Sequence, residues 1–417
     1  MKTHKNTWGR IFSTILYIFF LPSLMIAQES WFTASSNGFT PRFFHSSSVI
    51  EGKIYSVGGS TDPNKTKAAT NTLEVYDPAS NSWNTVNGSG NFARRYGATS
   101  ESIEGKIYVI GGADSNAVIS CTLDVFDIAK NEWSTPTTSG VFTPRYALSS
   151  VVFNGKIYVI GGGGSTVGNW GNVTEVLEVF DPATNQWSTP TTIGTFSPRR
   201  GAATVVFNNK IYLLGGFDGS KYTTKVDVFD PVTNQWTSPT ISGKQIGRSG
   251  ISASVIGGYI YIFGGNANNS FPVTVEQFDP VNNKITTVVT SGTFTARTGI
   301  TSNVIGDKIY VIGGYDGNIV VGSNEVFSLQ PNSVIANNEL PKLYLTPNPS
   351  NTNVIIHGVP ENIQHISIFN VLGESVVEIM NPQGGNTTID MSNLLKGIYF
   401  VRLLSITSTS TLFFTRE

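Results

Sequence analysis

Apolar and polar residues alternate in short runs along most of this chain, and turn residues interrupt the runs at fixed places. Alternation with a period of two predicts strands with one buried face, not helices. Six times a run closes as Ile-Tyr-x-apolar-Gly-Gly, with glycine pairs beginning at Gly58, Gly111, Gly161, Gly215, Gly264 and Gly313. The pairs are 53, 50, 54, 49 and 49 residues apart, so one structural unit recurs six times.

The fourth copy shows the unit. Gly201 to Phe207 is a β-rich run ending in the turn pair Asn208-Asn209. Ile211 to Leu214 is a second strand, stopped by Gly215-Gly216; Asp218-Gly219 turns the chain, and Lys225 to Phe229 alternates as a third. Asp230-Pro231 and Asn234 mark the next turn, and Trp236 opens a fourth strand. The unit is a four-stranded antiparallel meander. Tyrosines at 55, 108, 158, 212, 261 and 310 and tryptophans at 83, 133, 187 and 236 keep their offsets; Ile285 replaces the fifth tryptophan.

A repeat of about 50 residues with a glycine doublet and a later tryptophan resembles kelch, one propeller blade per repeat. The resemblance covers Gln28 to about Pro331 and implies an all-β, six-bladed propeller. The sixth copy, Arg297 to about Leu329, lacks a tryptophan strand. A spare one stands at the start, where Trp31 precedes Arg42 by 11 residues against 12 between tryptophan and arginine elsewhere. The N-terminal strand is therefore expected to close the last blade, which removes a free sheet edge.

Both ends carry other signals. Residues 1–27 combine the basic Lys2, Lys5 and Arg10 with an apolar stretch interrupted by Ser13, Pro22 and Ser23, and end in Ala27. This reads as a cleaved secretory signal peptide, with no stable transmembrane span left after cleavage. Residues 332–341 form a polar linker. From 342 to 417, Leu345-Thr346-Pro347-Asn348-Pro349-Ser350, Ile366-Ser367-Ile368-Phe369-Asn370-Val371-Leu372-Gly373 and Leu394-Leu395-Lys396-Gly397-Ile398-Tyr399-Phe400-Val401 predict a small antiparallel β-sandwich. These pieces resemble the type A C-terminal sorting domain of the Bacteroidetes type IX secretion system, although Thr346 stands where that family usually has an aromatic. The resemblance implies the type IX machinery as a partner and an extracellular or outer-membrane-surface location.

Composition narrows the function. A net charge of −1 with 13% charged residues gives no basic stripe for nucleic acid. Cys121 is the single cysteine, so no internal disulfide can form, and its place beside an apolar run predicts a small core residue. His45 is the one histidine of the repeat region, and no His, Cys and carboxylate set has metal-ligand spacing, so neither metal nor cofactor is implied.

The candidate ligand surface is the face that carries the start of each first strand and the loop after each doublet. It holds Arg42, Arg95, Arg145, Arg199, Arg248 and Arg297, each sixteen residues before its doublet. Phe217, Asn266 and Tyr315 directly follow their doublets, and Trp170 lies in an insertion of the third repeat. Guanidinium groups with aromatics suit carboxylates, acidic peptides or acidic sugars. Against this, Glu74, Asp124, Glu178, Asp227, Glu276 and Glu325 recur with the arginines, which favours an ion-pair set between blades for most of the ring. The expectation is a secreted or cell-surface module that binds a protein or glycan. The alternatives are a sugar-processing propeller resembling sialic-acid mutarotases, with Glu101 at the channel, and a structural surface component. The copper-oxidase chemistry of other kelch proteins needs histidine ligands and a cysteine partner that this chain lacks.

Overall fold

In the computed structural model the described residues are 29–63, 68–164, 172–329, 343–348, 350, 352–360, 363–371, 373–405 and 409–416. The signal segment, the linker and residues 165–171 of the third-repeat insertion, Trp170 included, lie outside them. Residues 29–329 form six antiparallel sheets, and the first strands of neighbouring sheets touch in a closed ring. Blade 4 is typical, with strands Ala203–Phe207, Lys210–Leu214, Val226–Asp230 and Gln235–Thr237 running from axis to rim.

Strand Glu29–Ala34 lies antiparallel to Asn324–Ser328 and forms the outer strand of the sixth blade, with Trp31 opposite Phe327. Trp31 is buried against Phe263, Phe294 and Phe327, a place equivalent to those of Trp83, Trp133, Trp187 and Trp236 in their own blades. The short strand Thr290–Ser291 pairs parallel to Glu29–Ser30, and single parallel bridges repeat this pattern at Ser89, Ser139, Ile193 and Ser242.

Each tryptophan packs on the phenylalanine three residues before an arginine, with centroids 4.5 Å apart for Phe92 and Trp133 and 4.7 Å for Phe142 and Trp187. The fifth blade loses both partners together: Gln245 stands at the phenylalanine position and Ile285 at the tryptophan position.

Residues 343–416 form two further sheets, one of three strands and one of four, around Val354, Ile356, Ile366, Ile368, Ile389, Tyr399, Val401 and Phe414. This is the small sandwich that the alternating pattern predicts. Among the described residues, no helix is long and apolar enough to cross a membrane.

Candidate functional site

The six arginines are at most 2% exposed. Each meets the recurring acid of its own blade: Arg42 and Glu74 at 2.9 Å, Arg199 and Asp227 at 2.7 Å, and Arg145–Glu178, Arg248–Glu276 and Arg297–Glu325 at 2.6 Å, with Arg95 on Asp124. Guanidinium N–H groups also donate to strand carbonyls, as Arg199 does to Leu213 at 3.0 Å and Arg297 to Val311 at 3.2 Å. The guanidinium groups of Arg42, Arg95, Arg145 and Arg297 lie 4.7–5.0 Å from the centroid of the preceding phenylalanine. Burial lowers the pKa of Arg42 and Arg95 to about 10, which leaves both charged at neutral pH.

The ion pairs are therefore within blades, not between them. The link between blades is made by the arginine backbone. The amide of the second doublet glycine donates to the next blade's arginine carbonyl: Gly59 to Arg95, Gly112 to Arg145, Gly162 to Arg199, Gly216 to Arg248, Gly265 to Arg297 and Gly314 to Arg42, all at 2.8–2.9 Å. A Cβ on Gly264 or Gly313 would come within 2.5 Å of that carbonyl, which is why the position needs glycine. The six arginines are closed to solvent and ion-paired within their blades, although Nε of Arg42, Arg145, Arg199 and Arg248 has no hydrogen-bond partner.

Two residues past each arginine a second ring closes. Gly97 N–H donates to Phe44, Ala147 to Gly97, Gly201 to Ala147, Gly250 to Gly201, Gly299 to Gly250 and Phe44 to Gly299, at 2.7–2.9 Å. All six residues have φ between 49° and 69°. Four of them are glycine; Phe44 and Ala147 bear the strain of a side chain in the left-handed region. This ring of six amides narrows the axis. Sequence reasoning missed it, although Arg-x-Gly at 95, 199, 248 and 297 was a usable signal.

The surface residues of this face lie one place past the arginines. Phe43, Tyr96, Tyr146, Arg200 and Thr298 bridge to the residues that follow the doublets, Ser60, Ala113, Gly163, Phe217 and Tyr315. Two aromatic groups result, on opposite sides of the axis. Phe43, Phe271 and Tyr315 cluster on one side, with Phe43 and Tyr315 5.6 Å apart and Phe271 and Tyr315 6.4 Å apart. On the other side Arg200 lies over Tyr146 at 5.7 Å and over Phe217 at 5.1 Å, and Tyr222 meets Phe217 at 5.3 Å. Nη1 of Arg200 is shielded yet has no hydrogen-bond partner. Asn266 contributes less than its position suggested, because its Oδ1 accepts the Asn269 amide of its own loop at 2.8 Å.

Below the amide ring the axis widens into a chamber of about 210 Å³ lined by the first strands of all six blades. Hydroxyls dominate its wall. Glu101 and His45 are the lining residues able to carry charge. Ser150 Oγ donates to Glu101 Oε1 at 2.6 Å and so accepts from Thr99 Oγ1 at 2.5 Å. Burial raises the Glu101 pKa to about 7, against the pull of the Ser150 hydrogen bond. Burial, then the charges of Arg42 and Arg297, hold His45 well below the ordinary histidine range, so its ring is neutral. Cys121 is exposed on a loop, not in the core as its apolar neighbours suggested. Among the described residues no group of three His, Cys, Asp or Glu side chains assembles.

The repeat region matches the KLHDC2/KLHL20/DRC7 Kelch-repeats domain over residues 14–162, 44–265 and 163–338. The chain belongs to the kelch-repeat family. Residues 343–414 match the secretion system C-terminal sorting domain, which implies handling by the type IX secretion machinery and places the propeller at the cell surface or outside the cell. An 83-residue stretch is 32% identical to the tRNA wybutosine-synthesizing protein 2/3/4 of Oryza sativa subsp. japonica. That stretch covers 20% of this chain and 8% of the rice protein, so this kelch chain spans only a small part of that relative's length.

Proposed function

We propose that this exported kelch propeller is a binding module whose ligand, a glycan or a protein, sits across the mouth on the face of the Phe217 and Tyr315 loops. The supporting observation is Arg200. Its guanidinium lies over the rings of Tyr146 and Phe217, and Nη1 lacks a partner. Gly163 leaves it room, since a Cβ there would come 3.0 Å from Arg200 Cδ. A pre-oriented guanidinium with a spare donor recognises a carboxylate or another acid group, and flanking rings give a sugar or an aromatic residue a surface to stack on. The ligand therefore offers an acid group to Arg200 and a flat or apolar face to Phe217 and Tyr315. The sugar-processing alternative would have to use Glu101, which lies past the amide ring from this mouth.

The test is a glycan and peptide array probed with the full chain, followed by affinity measurements on variants. Arg200→Ala, Phe217→Ala and Tyr315→Ala are each expected to weaken binding by about 1–3 kcal/mol, with little change in melting temperature. Trp170→Ala asks the same of the third-repeat insertion. A bound ligand that none of the first three variants affects would overturn the reading.

A further inference from the structure

We propose that the axial chamber is a binding site for a small monovalent cation, held by the Glu101 carboxylate among serine and threonine hydroxyls. The site is distinct from the mouth and rests on different residues.

The chamber, about 210 Å³, has room for an ion that keeps part of its hydration. Every blade contributes a hydroxyl, among them Ser47, Thr99, Ser150, Thr204, Ser252 and Thr301. Such oxygens suit hard cations. Glu101 breaks the repeat to stand there. At the same offset the other blades carry Ser48, Val151, Val205, Ser254 and Asn303.

No neighbouring group cancels its charge. Arg42 and Arg297 are bound to Glu74 and Glu325. His45 is neutral and shares a 3.2 Å contact from Nε2 to Thr301 Oγ1. Tyr108, opposite Glu101 on the next strand, is raised by burial and stays uncharged. The Thr99–Ser150–Glu101 chain delivers one hydrogen bond to the carboxylate, which does not offset removing an anion from bulk water. One carboxylate matches one positive charge. A zinc or calcium centre would need the larger ligand set that the described residues do not assemble.

The probes are lithium, sodium, potassium and ammonium chlorides at pH 8 and equal ionic strength. Tetraethylammonium chloride is the reference, being too bulky to approach the oxygens closely. Tryptophan fluorescence follows the propeller in the full chain, because the sorting domain has no tryptophan. At least one small cation should raise the wild-type midpoint over the reference by about 2–4 °C. Glu101→Gln and Glu101→Ser should lose that difference; the serine variant copies the residue of blades 1 and 5. Sodium-23 relaxation on the wild-type protein gives a readout that needs no variant: broadening at pH 8 that potassium displaces. An equal salt response in wild type and variants would overturn the proposal. So would a wild-type midpoint that responds to pH but not to the cation, since a proton would then be what neutralises Glu101.

Discussion

Arg199 and Arg200 are neighbours in the chain and belong to opposite parts of the molecule. Arg199 is one of six, buried at 1% exposure on Asp227, with its carbonyl bonded to the preceding blade. Arg200 has no counterpart among the blades and lies over two rings at the mouth. The difference separates what repeats from what departs. A feature present in every blade is held by contacts that every blade makes, so it reports on assembly of the ring. A residue that breaks the pattern gains nothing from that assembly, and its reason must be sought locally.

The comparison can be broken in order of severity. Removing residues 29–34 takes away the outer strand of blade 6 and the buried Trp31. Loss of a cooperative tryptophan-fluorescence transition is expected. A shortened chain that melts like the parent would show that ring closure does not matter for stability.

Next is the arginine pair. Arg297→Ala leaves Glu325 buried without its partner and should cost about 3–5 kcal/mol in urea unfolding. Arg200→Ala should cost no more than about 1 kcal/mol on the same measurement. Similar losses for both would erase the distinction between ring and mouth.

The gentlest test is pH. The folded-state pKa of Glu101 is about 7, above the ordinary carboxylate value near 4.5. Between these values the folded chain holds a proton that the unfolded chain has released, so stability falls as pH rises from 4.5 to 7. Glu101→Gln should remove roughly 1–3 kcal/mol of that fall, seen as a flatter plot of unfolding free energy against pH. A bound small cation would reduce the fall in the wild-type protein as well.

Much of the ring was legible because its signals are repeated. Six doublets with a tyrosine at a constant offset identify the unit, and the early Trp31 offers the strand that the sixth unit lacks. The role of the arginines was not legible in the same way. Their recurrence marked them as important, and the six matching acids pointed to ion pairs, but whether a pair lies within a blade or between blades depends on strand register. Arg200 was hidden by its neighbour, because attention to the period selects the residue that repeats. Cys121 was misplaced because an apolar run beside a residue does not say on which side of the strand end the chain has already turned outward.

The sequence by itself determined the number of blades, the strand order within each and the presence of the sorting domain, because alternation, turn chemistry and spacing are local properties of the chain. The tertiary structure alone decided which charges are buried, which backbone amides close rings around the axis, and that Glu101 and His45 face one chamber. Those facts depend on residues 28 or more positions apart, brought together only when the blades fold and the ring closes. Burial in that closed ring sets the cost of every unpaired charge, and so separates the arginines that hold the propeller from the one left free at its mouth.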